Sequence, residues 1–109
     1  MSKFEDLIER VEDWAEQKGI HEGAWLPQYG KFTEEASEMF DELIAMDYEV
    51  YAEPTDELKE EFGDVLVTLI ILAQRVGLDL TESLEIATEK ISRRTGRLIN
   101  GQFVKDDEV

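Results

Sequence analysis

Apolar residues recur at helical spacing in four separate runs of the chain. In the first, Phe4, Leu7, Ile8, Val11, Trp14 and Ala15 follow one face of a helix, and Ser2 with Glu5 has the form of a capping box. A helix is therefore expected from residue 3 to 18, closed by Gly19. Residues 20–30 carry Gly23, Pro27 and Gly30 as punctuation and read as a loop. Its aromatics, Trp25 and Tyr29, would either pack over the core or stack on a ligand. A second helix is expected from 31 to 47, with Phe32, Ala36, Met39 and Leu43 as its stripe. The pattern breaks between 48 and 55, where Pro54 ahead of Thr55 or Asp56 is a helix-start signal.

The third helix is expected from 56 to 75 with Leu58, Phe62, Val65, Leu69, Leu72 and Val76 as its stripe, and Gly77 closes it. Residues 65–73 are apolar almost all the way round, so this segment needs cover on more than one side. In so small a domain a subunit interface is the expected cover, which implies a homo-oligomer. Asp79 opens a fourth helix whose inner face would be Leu84, Ala87, Thr88 and Ile91. Asn100-Gly101 is a turn signal, and it leaves a hairpin or a flap open for residues 98–109. The pattern as a whole predicts an all-α fold, a bundle of about four helices in a single domain of residues 1–109, completed by oligomerisation.

Acid placement adds chemistry to this outline. Glu35 and Glu38 on the second helix, and Glu61 and Asp64 on the third, are i, i+3 pairs that share a helix face. Each pair borders an apolar stripe, so antiparallel packing of the two stripes would bring four carboxylates together. Isolated acid pairs are ordinarily a solvated face. Four converging anions raise one another's pKa and call for a cation, and all-oxygen ligands suit Mg²⁺, or Mn²⁺ in its place, before Zn²⁺. Ser37 and Gly63 put a small residue inside each pair, which would allow a helix or ligand to approach closely.

The chain has 109 residues, 27 acidic against 11 basic, a net charge of −16, one histidine and no cysteine. Disulfides, thiolate chemistry and a zinc cluster are thereby excluded. So acidic a chain repels nucleic acid, and no apolar run approaches a membrane span. The first residues lack the form of a signal peptide, so a cytoplasmic protein is expected. Against this background residues 90–97 hold Lys90, Arg93, Arg94 and Arg97 and no acid. They would either complement a helix C-terminus or bind phosphate through Lys90, Arg94 and Arg97, which share a face at i, i+4, i+7. Lys31, one turn before Glu35, would be a surface ion pair or a further phosphate contact.

Glu35-x-x-Glu38, 22 residues, then Glu61-x-x-Asp64 followed by Val65-Leu66 and a basic-ended fourth helix resembles the MazG-like all-α nucleoside triphosphate pyrophosphohydrolases. The resemblance extends from about residue 27 to 97 and includes Lys31. It implies a dimeric or tetrameric bundle that binds Mg²⁺ through the four acids and cleaves a nucleoside triphosphate to monophosphate and pyrophosphate, in keeping with nucleotide-pool house-cleaning. On that resemblance Glu34 and Glu38 are the catalytic acids, with Glu42 as alternative to Glu34, and Lys31, Lys90, Arg94, Arg97 and Trp25 contact substrate. A dUTP- or dCTP-directed enzyme of the same fold is the nearest alternative. A non-catalytic acidic helical module that binds a partner protein is the alternative of another class, and it would spread its acids over the outside rather than along the core edge.

Overall fold

A computed structural model describes residues 2–48 and 53–108. Four α-helices, α1 (Lys3–Lys18), α2 (Trp25–Asp47), α3 (Asp56–Val76) and α4 (Leu80–Ser92), precede strands β1 (Gly96–Ile99) and β2 (Gln102–Lys105) and a 3₁₀ turn, Asp106–Glu108. The all-α class is as expected, with one small hairpin appended. The chain divides into two compact units, residues 1–78 and 79–109. No helix among the described residues is long and apolar enough to cross a membrane.

Local chemistry sets most helix ends. Ser2 Oγ accepts the Glu5 amide at 3.2 Å and donates to the Glu5 carboxylate at 3.1 Å; Gly19 ends α1 in the left-handed conformation. Thr55 Oγ1 caps α3 by accepting the Leu58 amide, and Asp79 Oδ1 caps α4 by accepting the amides of Thr81 and Glu82. These ends agree with the expectation, apart from one more residue on α3. The break expected at 48–55 lies partly outside the described residues.

The start of α2 differs. The helix begins at Trp25, six residues before the expected Lys31, so Trp25, Pro27 and Gly30 are helical. Pro27 falls in the first turn, where its missing N–H forfeits no helical bond. Ala24, the residue ahead of the helix, supplies no side-chain cap. The connection is held from elsewhere: Arg75 on α3 donates to the carbonyls of Ile20 and Ala24, both at 3.0 Å. No local rule reports a contact across more than fifty residues.

In the first unit α3 packs against both α1 and α2. Its buried residues are Leu58, Thr68, Ile70, Ile71 and Ala73, joined by Ala15 of α1 and Gln28 of α2. The expected single stripe needs correction, because Phe62 (49%) and Val76 (46%) are exposed. A helix between two neighbours buries a wider arc than one stripe, and the middle of that arc runs through Thr68 and Ile71. The all-round apolar run of α3 is thus largely covered within the chain.

In the second unit α4 contains no buried residue. Of its expected inner face only Ala87 is half-buried, while Leu84 (64%) and Ile91 (55%) are exposed. The tail is a hairpin: β1 and β2 pair antiparallel from Gly96↔Lys105 to Ile99↔Gln102. Asn100 and Gly101 both have positive φ, 52° and 78°, the two-residue turn whose twist suits a hairpin. At Gly96 a Cβ would collide with the Val104 carbonyl and the Phe103 ring.

Candidate active site

Antiparallel packing of α2 on α3 pairs residues in descending order. Gln28 meets Thr68 through a 3.1 Å hydrogen bond, and Glu38 meets Glu61 two to three turns further along. Carboxylate oxygens of Glu35, Glu38 and Glu61 all lie within 4.8 Å of one another. Glu35 and Glu61 are half-buried and Glu38 is exposed. Asp64, expected as the fourth member, stands outside that group. It is exposed and lines a cavity that Glu35 also lines.

Charge balance in the group is incomplete. Lys31 Nζ is 3.5 Å from Glu35 Oε1 and 3.7 Å from Glu34 Oε1, and these carboxylates raise its pKa above the usual lysine value, the charge of Glu34 contributing most. One cation therefore serves the Glu35 end. Glu38 is pushed above the ordinary carboxylate range, chiefly by the charge of Glu35 and then by burial. Glu61 is pushed up as well, first by burial and then by the charges of Asp64, Glu35 and Glu42. Its Oε2 is enclosed without a hydrogen-bond partner. A buried carboxylate oxygen left unpaired is costly, and clustered oxygens with one of them free are the donor set that a hard divalent cation takes. The residues fit such an ion, with Glu35, Glu38 and Glu61 as holders and Asp64 one turn away.

Beside the acids is a cavity of about 360 Å³, at the low end for small-molecule sites. Trp14, Ile20, Val67 and Ile71 give it apolar walls, Gln28 and Thr68 its neutral polar groups, and Lys31, Glu35 and Asp64 its charged ones. Two of these escape sequence reasoning: Trp14 reads as part of the core stripe of α1, and Gln28 as part of the loop over residues 20–30. A signal was present: Gln28 stands seven residues before Glu35, and Thr68 seven after Glu61, so each lies two turns from an acid on the same face.

The other expected site residues are placed differently. Trp25 is the first residue of α2, 55% exposed, and does not line this cavity. Glu34 is exposed and ion-paired with Lys31, outside the group of three. Lys90, Arg94 and Arg97 belong to the second unit, and the shared helix face expected for them does not form. α4 ends at Ser92 with Arg93 as its cap, so Lys90 alone is helical, Arg94 follows the helix, and Arg97 lies in β1. Arg94 there borders a small pocket together with Asp106 and Asp107.

Residues 29–98 match the MazG nucleotide pyrophosphohydrolase domain. Two solved structures share the fold. The Bacillus-conserved MazG protein, a nucleotide pyrophosphohydrolase, superposes with a TM-score of 0.69 at 25% identity over 87% of this chain and 95% of its own. YPJD from Bacillus subtilis, a proposed pyrophosphatase, gives 0.67 at 23% identity over 87% of this chain and 98% of its own. Among curated proteins none matches by sequence. The acids Glu35, Glu38, Glu61 and Asp64 all fall inside the matched segment, and the chain belongs to the MazG family of nucleotide pyrophosphohydrolases, hydrolases of phosphoric anhydrides.

Proposed function

We propose that the protein hydrolyses nucleoside triphosphates to the monophosphate and pyrophosphate, with Mg²⁺, or Mn²⁺ in its place, held by Glu35, Glu38, Glu61 and Asp64. The carrying observation is the three-carboxylate group within 4.8 Å, its enclosed and unpartnered Glu61 oxygen turned toward no protein donor. When bound, the ion neutralises phosphate charge and favours a nucleophilic water. The chain's own residues do the rest. Glu38 is exposed, so its carboxylate is accessible to take a proton from an attacking water. Glu34 is the second candidate for that role, although its pairing with Lys31 draws on its charge. Lys31 meets the phosphate end of a substrate whose base occupies the cavity, where Trp14 rather than Trp25 offers an aromatic face.

A chain at −16 repels a free triphosphate, so ion and nucleotide must help each other bind. The exposed apolar residues of α4 are covered in a homodimer or homotetramer, and the enzyme serves nucleotide-pool house-cleaning in the cytoplasm. The acidic-module alternative is disfavoured because Glu35 and Glu61 lie on the core edge, half-buried, rather than on the outer surface. Incubation with a panel of nucleotides and Mg²⁺, with products separated by chromatography, tests the reading. Monophosphate and pyrophosphate should form and EDTA should abolish them; release of orthophosphate, or turnover indifferent to EDTA, refutes it.

A further inference from the structure

The cavity beside the acids has a hydrogen-bonding polarity that can be worked out atom by atom. Gln28 is buried, and its carboxamide orientation is fixed by its neighbour. The atom 3.1 Å from the Thr68 carbonyl oxygen must be the amide nitrogen, because a carbonyl only accepts. Oε1 is thereby directed away from that contact. It accepts no hydrogen bond from the described residues, and it is not among the sealed-off polar atoms. Since Gln28 lines the cavity, the free acceptor is available there. Thr68, also buried and also lining the cavity, donates its hydroxyl hydrogen to the Val65 carbonyl at 2.7 Å. Its Oγ1 can then only accept.

Two neutral acceptors set beside the apolar walls of Trp14, Ile20, Val67 and Ile71, with the second Gln28 N–H as the neutral donor next to them, match one edge of a nucleobase. An exocyclic amine brings two N–H groups, and the ring nitrogen next to it accepts. A keto group at that place would set a carbonyl oxygen against Oε1 and Oγ1 and its neighbouring ring N–H against the Gln28 N–H, so neither acceptor gains a donor there, which is how a polar site rejects an analogue. Resting on the nucleotide reading of the acid cluster, we propose that this cavity selects nucleotides whose base carries an exocyclic amine, cytosine or adenine, over their keto counterparts uracil and hypoxanthine. Gln28 Oε1 and Thr68 Oγ1 are the specificity-determining acceptors.

The test compares kcat/KM for dCTP with dUTP and for dATP with dITP, on the full chain with Mg²⁺. The amine-bearing member of each pair should be favoured by about tenfold or more, the scale of one buried group left unpaired. Thr68→Val removes one acceptor with little change of shape and should bring both ratios toward one by slowing the amine-bearing substrates. Gln28→Leu should do the same, and Thr68→Val keeps the test decisive where Gln28→Leu fails to fold. Equal hydrolysis of all four nucleotides, a preference for the keto forms, or ratios untouched in the folded variants overturns the selectivity while leaving the hydrolase reading intact. Hydrolysis of none overturns the hydrolase reading and this inference with it.

Discussion

Replacing Arg75 with methionine should loosen the first unit at the point that sets the cavity. The guanidinium donates through Nε to the Ile20 carbonyl and through one terminal nitrogen to the Ala24 carbonyl, each at 3.0 Å. It also lies against Gly23, whose φ is +127° and where a Cβ would come within 3.5 Å of Cζ. Three residues of the α1–α2 connection thus hang on one side chain. Hydrogen bonds from a charged donor contribute about 1.5–3 kcal/mol each. The bond to Ile20 is partly buried and keeps most of that, whereas the bond to Ala24 is exposed and water replaces most of it. Methionine preserves much of the aliphatic stem, so the loss should be roughly 2–3 kcal/mol.

For a unit of this size each 1 kcal/mol lowers Tm by about 4–8 °C, which gives a drop of about 10–20 °C by thermal circular dichroism. Arg75→Lys should recover little, because one ammonium cannot reproduce the fork that serves two carbonyls. KM should rise in the surviving variant, since Ile20 lines the cavity and Gln28 follows one turn into α2. A Tm change below about 3 °C in both variants would mean that water serves these carbonyls as well as Arg75 does, and the account of how α2 begins would be wrong.

Glu38→Gln and Asp64→Asn should each lower turnover by roughly a hundredfold or more with the helical spectrum intact, and Glu38→Gln should melt higher than wild type in EDTA because it relieves repulsion from Glu35. Full turnover with reduced metal-free stability would instead make these acids structural. The raised pKa values of Glu38 and Glu61 fix the sign of a pH effect: the folded state binds their protons more tightly than the unfolded chain, so the penalty is fully present above the raised values and is relieved as pH falls through them toward 4.5. Tm in EDTA should therefore rise on mild acidification, while Mg²⁺ stabilisation should fade over the same range because ligands must be deprotonated; parallel trends with and without metal would refute this. Gly63→Ala should stabilise the isolated chain by up to about 1 kcal/mol, since a Cβ there meets nothing within 4 Å, and a denaturant titration showing a loss would mean that another surface packs on that spot.

Where local chemistry fixes a boundary, the sequence was a sufficient guide. Ser2 with Glu5, Gly19, Thr55, Gly77 and Asp79 all act within four residues of themselves. Their helix ends could be read without the fold. The start of α2 could not, because the glycines and proline of residues 20–30 are loop signals locally, while the real tether is Arg75 on another helix. The acid cluster was legible to the extent that helical phase determines it. Phase placed Glu35, Glu38 and Glu61 on facing edges, but it could not tell that these three gather within 4.8 Å of one another and leave Asp64 toward the cavity. The shared face expected of Lys90, Arg94 and Arg97 fails for a related reason: helical phase has meaning only while the helix lasts, and α4 ends at Ser92 with β1 starting at Gly96.

Cover for apolar surface is likewise a property of the fold and not of one segment. An apolar run says that a surface wants cover, and it does not say from where. The run in α3 that suggested a second copy finds much of its cover in α1 and α2, with Thr68, Ile70, Ile71 and Ala73 buried inside one chain. What stays uncovered is elsewhere: Leu84 and Ile91 on α4, seven residues apart and so on one helix face, together with Ile86 and, on α3, Phe62 and Leu66. Residues of this size exposed along a 13-residue helix with no buried member are the pattern of a surface that becomes core on association. The case for an oligomer therefore rests on α4, and sedimentation of Leu84→Glu beside Ile71→Val separates the two footings. The first should yield smaller species with α1–α3 intact; the second should cost about 0.5–1.5 kcal/mol of stability without changing mass.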